Sequence, residues 1–472
     1  MKRIFLIFAA ICISAASFAQ HAAQNAYFLD GYTYCHDLNP SFATERSYVA
    51  LAGVGSMNLS IKSNMGVSTF LYPMETGGVT TFLNPSISAD QFLSKLNKNN
   101  TLNLGISTKL LSIGSWGNKS TFTSFDINLK SNTGLSLPYD LFGILKTFGA
   151  QDEYSFSNLG VGTDNYLEVA LGQSRNIGNH LRVGAKVKVL VGIANARVNV
   201  DNATLTMSED LWSARLGARA ELAAGNNLID IPTRPGGQFA IDDIELNEPA
   251  GVGDFLNGFG LAFDLGASYR MLDNKLTLSA SLLDLGLMHW KDFIEMDSQT
   301  AYFDFDGFGT ITSDELKDME FGDRFSSLGD GFKDMDQLDL SARGGNSRLL
   351  HATLNLGAEY QVVKILSAGL LFTTQAGPVC NWTETRLSAN FKPAGWFSAS
   401  LSGAVSTLGP ELGFGFNLHN RVFTLFVNAN ALATRFTAPI NADRVSLQLP
   451  VGPLKGDVNF GLVLNLSKKR SW

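Results

Sequence analysis

The chain has 472 residues, and 43 acidic against 36 basic residues give it a formal net charge of −7 at pH 7. A net negative chain with six histidines and no basic cluster is a poor candidate for nucleic-acid binding, so we expect no nucleic-acid partner. The 46 glycines and 33 phenylalanines, with only 17% charged residues, favour a β-rich membrane protein. Three cysteines exclude a disulfide framework, and the sequence leaves open whether Cys35 and Cys380 pair.

Residues 1–19 are predicted to be a signal peptide. Met1-Lys2-Arg3 is a short basic region, an apolar run follows it, and Ser17-Phe18-Ala19 has the small-x-small pattern of a cleavage site before Gln20. The alternative is a lipoprotein in which Cys12 carries the lipid. Export places the mature chain in the cell envelope, and we expect it in the outer membrane.

Most of the chain after residue 46 alternates between apolar and polar residues, which is the pattern of β-strands with two different faces. In Leu181–Val191 the odd positions are apolar, whereas the even ones include Arg182, Lys186 and Lys188. In Phe259–Met271 one face is apolar and the other includes Asp264 and Arg270. Similar stretches occupy residues 102–110, 121–130, 212–222, 397–405, 412–418, 423–431 and 458–466.

Two architectures produce such alternation. In a soluble sandwich the apolar face is the core, whereas in an outer-membrane barrel it contacts lipid. Segments of about ten residues or more match the length needed to cross a bilayer at a tilt. No apolar run after residue 20 is long enough for a spanning helix, so a closed antiparallel barrel is the remaining way to satisfy the backbone in lipid. We therefore predict an all-β transmembrane barrel of about fourteen strands, residues 47–472.

Short turns are predicted at Asp273-Asn274, His419-Asn420 and Asn176–Asn179, all at one rim. A short helix is predicted over residues 138–148, and long loops over 223–258 and 287–349. The second loop is acidic, with 14 Asp and Glu against four Lys and Arg between Lys291 and Leu340. We expect it outside the cell and expect a short helix in it, at residues 314–321, with Ser313 as the cap.

The acidic loop also contains the sharpest apparent metal motif. Asp304, Asp306 and Glu315 occupy positions one, three and twelve of a calcium-binding loop, but Phe308 replaces the ligand at position five. We favour an acidic surface loop over a calcium site, and expect no metal or other cofactor. The six histidines show no metal-ligand spacing, and no nucleophile, base and orienting group are singled out, so we do not expect an enzyme.

Charged residues on the polar faces of the strands are candidates for lining the lumen, since a basic side chain facing lipid near the midplane costs roughly 2–4 kcal/mol. They could form a permeation path or ligand contact, or they could neutralise one another in a packed interior. Those on nearby strands could form one cross-strand network. The candidates are Arg182, Lys186, Lys188, Arg215, Arg219, Glu221, Asp264 and Arg270.

Three segments carry a family resemblance. Asp37-Leu38-Asn39-Pro40-Ser41 resembles the Asn-Pro-Ala motif in the N-terminal segment of FadL-like and PorV-like barrels. Ser281–Trp290, with its Asp-Leu-Gly and Trp, and the closing segment Asp457–Leu464 are similar to outer-membrane proteins of Bacteroidota. Overall the chain most resembles an uncharacterised family of such barrels, a domain of unknown function. The resemblance implies a FadL-type barrel in which residues 20–46 form a plug with Asn39 and Pro40 as its motif; the alternative is a flexible tail.

These features lead to two functional hypotheses. The first is a barrel that binds or passes small hydrophobic ligands in the FadL manner. The second is a non-transporting barrel that serves as a docking component of a secretion or surface-attachment system, as in PorV-like proteins. The expected partners are outer-membrane lipid, the barrel-assembly machinery, and either a hydrophobic small molecule or secretion-system components.

Overall fold

A computed structural model of the chain describes residues 24–74, 78–117, 120–147, 150–207, 212–224, 229–230, 238–240, 245–247, 251–298, 301–305, 337–376, 382–407, 409–431, 440–442, 445–447 and 451–466. The predicted signal peptide lies outside these residues and stays a prediction. Among the described residues, no helix combines the length and apolarity needed to cross a bilayer.

Strands dominate the described residues. In the first half of the chain they are β1 (Tyr48–Leu51), β2 (Met57–Ser63), β3 (Leu71–Pro73), β4 (Val79–Thr81), β5 (Asn99–Trp116), β6 (Thr121–Pro138), β7 (Glu153–Ser155), β8 (Gly160–Ile177), β9 (Leu181–Met207), β10 (Trp212–Ala224), β11 (Ile229–Asp230), β12 (Gln238–Ala240) and β13 (Glu245–Leu246). In the second half they are β14 (Gly258–Met271), β15 (Leu276–Ser298), β16 (Ala301–Phe305), β17 (Gln337–Leu349), β18 (Ala352–Val363), β19 (Leu366–Ala376), β20 (Trp382–Ala394), β21 (Phe397–Ser406), β22 (Gly409–His419), β23 (Phe423–Ala431), β24 (Ile440–Ala442), β25 (Val445–Leu447) and β26 (Lys455–Asn465).

The helices among the described residues are short. They are α1 (Cys35–Leu38), α2 (Val67–Phe70), α3 (Ala89–Leu93) and α4 (Tyr139–Lys146), with single 3₁₀ turns at Gln24–Ala26 and Val252–Phe255. The helix predicted over residues 138–148 is α4, and Pro138 is its N-cap residue. Because proline has no N–H to leave unpaired, it suits the start of a helix.

The strands close into a fourteen-strand antiparallel barrel, as predicted. Each wall strand pairs with the next along the chain, and the last, β26, pairs back with β1 and β2. Several of the fourteen wall positions are filled by two collinear strands each, and these include β1 with β2, β7 with β8, β10 with β14, β15 with β16, and β17 with β18. Closure removes the unpaired edge that an open sheet would expose to lipid.

The alternation places apolar side chains outside and polar ones inside. On β9, Val187 is 46% exposed on the outer face, while Lys186 and Lys188 on either side of it are buried. On β26, Val458, Phe460, Leu462 and Leu464 all face outward. The wall is therefore a single layer, and the interior is filled by inward side chains and by the N-terminal segment.

One rim has short turns and the other has long connections. At Leu272-Asp273-Asn274 three residues take left-handed φ values of 53°, 53° and 65°, which Asp and Asn tolerate well. At the long-loop rim, Phe70, Phe82, Phe92 and Phe142 form an apolar cluster that joins residues 64–98 to α4.

The strands extend further into the predicted long loops than the sequence indicates. Residues 287–298 belong to β15 and residues 337–349 to β17, because these segments pair with each other across the register Leu287↔Leu349. Residues 223–224 end β10 and residue 258 begins β14; the described residues between them include three strands of two or three residues each. The helix predicted at residues 314–321 lies outside the described residues.

Candidate functional site

The N-terminal segment from residue 24 to residue 46 lies inside the barrel, against the inner face of the wall. Tyr27, Tyr32, Tyr34 and Leu38 are at most 3% exposed. The tyrosine hydroxyls are paired: that of Tyr32 donates to Asn459 Oδ1 on β26 at 2.8 Å, and that of Tyr34 donates to the carbonyl of Gly55 at 2.9 Å. Aromatic rings with satisfied hydroxyls fill and hold the lumen at the short-turn end. We call residues 24–46 the plug.

Asn39 and Pro40 contact the wall at two glycines, Gly184 and Gly266. A Cβ on Gly184 of β9 would overlap the carbonyl oxygen of Pro40, and a Cβ on Gly266 of β14 would overlap Asn39 Oδ1. Asn39 Nδ2 also donates to the carbonyl of Ala280 on β15 at 3.2 Å. Glycine is needed at both wall positions because two backbones approach each other closely there.

A charged cluster fixes the plug to the wall, and we call it the anchor cluster. Asp37 of the plug receives Lys186 Nζ at 2.6 Å and Lys109 Nζ at 2.8 Å. The same two lysines also face Asp126 of β6, at 3.5 Å and 3.2 Å. His36 lies 3.2 Å from Asp37 through Nδ1 and 2.7 Å from the Tyr48 hydroxyl through Nε2.

The charges of the anchor cluster balance. Burial alone would raise the pKa of Asp37, but Lys109, Lys186 and His36 together hold it well below its usual range, so the carboxylate is ionised. Donor atoms of His36, Asp37 and Asp126 lie within 4.8 Å of one another, a spacing that a metal ion could use. Two ammonium groups already neutralise the two carboxylates, however, so the cluster is an ion-pair network and not a cation site.

A second charged cluster lies beside the anchor cluster on the inner wall. Lys188 contacts Asp264 Oδ2 at 2.7 Å and Asp284 Oδ1 at 2.6 Å, and Lys130 contacts Glu168 Oε2 at 2.6 Å. Asp284 has a left-handed φ of 56°, next to a register shift between β14 and β15, and its N–H donates to Asp264 Oδ1. A non-glycine residue in this conformation is held there by its surroundings. The two clusters border one cavity of about 80 Å³.

The remaining predicted lumen residues lie apart from these clusters. Arg182 is buried at the short-turn end, where it donates to Asn176 and Ser174, and Arg270 is half-buried near it. Arg215 and Arg219 are exposed on β10, and Arg219 pairs with Asp297 at 2.9 Å.

Glu221 also lies on β10, and it pairs with Arg348 and, at 3.9 Å, with Arg197. The candidates on β9 and β10 thus have different partners. Lys186 and Lys188 contact the plug and acidic residues of the wall strands β6, β14 and β15, whereas Arg219 and Glu221 contact residues near the long-loop rim. The cross-strand network between these two sets stays a prediction; β10 occupies only the long-loop half of its wall position.

A second apolar cluster, separate from the one around the plug, faces the lumen, and we call it the chamber. It is formed by Tyr166, Leu190, Met288, Trp290 and Phe293, with Ala223, Ala262 and Leu350 around them. A cavity of about 50 Å³ opens beside Trp290 and is bordered on its polar side by Arg197, Arg348 and His351.

The chamber lies where β10 ends and β14 begins. Asn257 closes this break: its side chain donates to the carbonyls of Ala224 and Asp292, and its backbone N–H donates to the carbonyl of Gly192. Asn257 is fully buried, so the break is sealed by hydrogen bonds and not by continuous strand pairing.

The calcium motif is only partly described. Asp304 falls in β16, opposite Ser213 of β10, a strand position and not the start of a calcium-binding turn. Asp306 and Glu315 lie outside the described residues.

Several residues of the two clusters were missed from the sequence. Lys109, Asp126 and Lys130 lie on predicted strands, and the same alternation that marked Lys186 would have marked them. Glu168 also alternates with Leu167 and Val169, whereas Asp284 was less accessible to that argument because it lies within a register shift that changes which face it occupies.

Comparisons with known proteins give a family and a set of similar folds. The family of unknown function (DUF5723) matches residues 40–430. None of the curated proteins matches the sequence.

The fold is similar to those of two solved toluene transporters and a FadL homologue. The toluene transporter TodX of P. putida is 9% identical, with 95% of each chain covered and a TM-score of 0.43. The toluene transporter TbuX of Ralstonia pickettii is 9% identical over 94% of this chain and 93% of that one, with a TM-score of 0.43. A FadL homologue of Pseudomonas aeruginosa is 12% identical over 94% and 96%, with a TM-score of 0.44.

Proposed function

The chain belongs to the DUF5723 family, whose function is unknown. From the geometry of the lumen we propose that it is an outer-membrane barrel that binds small hydrophobic ligands and passes them when the plug moves. The observation that carries this proposal is the apolar chamber at Trp290. Apolar side chains facing the lumen of a barrel need a reason, since the interior of such proteins is usually polar.

The chamber has the composition of a ligand site. Aromatic and aliphatic side chains supply most of its surface, and Arg197 and Arg348 stand at one side, where they would orient a polar end. Its present cavity of about 50 Å³ is far below the roughly 300–1,000 Å³ of typical ligand pockets. The proposal therefore requires that side chains around Leu350 move when a ligand enters.

Binding of an apolar fluorescent probe, N-phenyl-1-naphthylamine, to the detergent-purified barrel tests the proposal. We expect saturable binding that Trp290→Ala weakens about tenfold or more, because truncating a buried aromatic anchor typically costs 2 kcal/mol or more of binding energy. Trp396→Ala is the matched control, since Trp396 is 60% exposed at a short turn. Equal binding by the wild type and both variants would place the probe on the outer surface and refute the chamber as the site.

A second function, in a different class, is favoured by the sealed interior. The plug is held by the anchor cluster, the described cavities are small, and β9 with 27 residues and β15 with 23 are far longer than the 9–11 residues that span a bilayer. These strands carry the wall beyond the membrane on one side and offer a surface for a partner in secretion or surface attachment. Crosslinking in intact cells separates the two functions: a specific crosslink to these extensions, without probe binding, favours docking.

A further inference from the structure

The outer wall has a groove at the short-turn end whose chemistry the proposed function does not use. The groove measures about 650 Å³ and lies across β8, β9, β14, β15 and β18. Its sides are Val183, Leu265, Leu282 and Leu354, and Gln173 and Arg175 stand at one edge.

The shape of the groove follows from small residues in the wall. Ala185, Ala267 and Ala280 face outward between larger neighbours such as Leu265, which is 54% exposed. Gly184 and Gly266 lie in the same patch because Asn39 and Pro40 of the plug press on their inner side. The plug therefore contacts the inner side of the same patch of wall that carries the groove on its outer side. Glycines face inward and alanines face outward there, so the wall is thin at this point.

Arg175 sets the depth of this groove in the membrane. It is exposed and lies on the same face as Leu171, which is 57% exposed, whereas Ser174 beside it is buried. A guanidinium on the lipid face is costly at the bilayer midplane but not at the interface. Arg175 is two residues from the end of β8, so it lies at the level of the lipid head groups with the groove extending from it along the apolar wall.

The turns at this rim, like the groove, combine apolar side chains with basic ones. Large apolar side chains are exposed at the turns, and exposed basic residues accompany them, as expected for a rim embedded at the interface and not projecting into water. The apolar residues are Ile177, Leu272, Ile365, Trp396 and Val422, and the basic ones are Arg175, Lys275, Lys364 and Arg421.

We propose that the groove is a binding site for one anionic glycerophospholipid, with an acyl chain lying over Ala267 and Ala280 and the phosphate on Arg175. Charge complementarity selects the head group, and the apolar sides select the chain. Because the groove lies outside the lumen, this site is independent of ligand binding in the chamber at Trp290.

Native mass spectrometry of the full-length barrel, released from a non-ionic detergent and titrated with dioleoyl phosphatidylglycerol, tests the site. We expect one phospholipid to be retained by the wild type. Arg175→Ala should weaken binding about fivefold, which is the contribution of one basic residue near a lipid surface, and Arg175→Lys should retain most of it. Ala267→Trp should fill the groove and abolish retention, with heat-modifiable migration on gels showing that the barrel has folded.

Arg421→Ala is the matched control, because Arg421 is an exposed basic residue at the same rim but does not line the groove. Equal losses in Arg421→Ala and Arg175→Ala would mean a diffuse electrostatic effect and would overturn the site. Competition by glycerol phosphate alone would show that the groove contributes nothing, and unchanged retention in Ala267→Trp would show the same. Each of these results contradicts the proposal.

Discussion

Removing the charge of Asp37 should release the plug from the wall. Asp37 contacts two lysine ammonium groups at 2.6 Å and 2.8 Å, and both lysines are buried in the wall. In Asp37→Asn the cluster keeps two ammonium groups but only one carboxylate, Asp126, so one positive charge is left without a counter-charge. Breaking a buried ion pair in this way costs about 3–5 kcal/mol, which corresponds to a 10²- to 10⁴-fold shift toward the undocked plug.

The thiol of Cys35 reports on this release. Burial raises the pKa of Cys35 to about 12, so the docked thiol is neutral and should react slowly with maleimide at pH 7.5. In a Cys380→Ser background, Asp37→Asn should label at least tenfold faster, and planar-bilayer recordings should show conductance where the parent is nearly silent. Asp30→Asn is the matched control: Asp30 lies in the same segment and pairs with Lys392, but it is exposed, so its loss should cost under about 1 kcal/mol.

Two further measurements separate charge from shape. The double variant Asp37→Asn with Lys109→Met restores equal numbers of positive and negative charges in the cluster and should recover most of the protection. Replacing both members of a buried ion pair destabilises a protein less than removing one member.

The pKa of Asp37 lies below its ordinary value of 3.8, so its stabilising contribution is complete above that pH and is lost only as the pH falls further, through the lower folded value. We expect Asp37 to contribute equally from pH 5 to pH 8. Labelling of Asp37→Asn as slow as that of Asp30→Asn would refute the anchor cluster.

Other predictions concern the plug, the closing strand and the acidic loop. Gly184→Val should displace Pro40 and speed labelling of Cys35, whereas Gly403→Ala, at a wall position with room for a Cβ, should not. Truncation after Gly456 removes most of the strand that closes the barrel, so the protein should be degraded and absent from the membrane fraction on immunoblots; normal levels would show that closure needs less. Protease added to intact cells should cleave between residues 305 and 337, and protection there would place the acidic loop in the periplasm. Calcium should leave the melting temperature of the barrel nearly unchanged, and a large saturable rise would revive the calcium site.

The sequence by itself determined the barrel and the direction of its faces. A strand repeats its side-chain orientation every two residues, and an apolar face of ten residues or more has few stable environments besides lipid. For this reason Lys186, Lys188 and Asp264 could be assigned to the interior from alternation alone, and the strand number followed from counting the segments.

Only the tertiary structure decided which charges meet. Lys186 and Asp37 are far apart in the chain, and nothing local in either segment specifies the other; they meet because the plug enters the closed wall. Lys188 and Glu221 have different ion-pair partners because β10 and β14 share one wall position, which alternation cannot reveal. Alternation within a strand is a local property, whereas register shifts such as the one before Asp284, and the path of a segment inside the lumen, depend on contacts between distant parts of the chain.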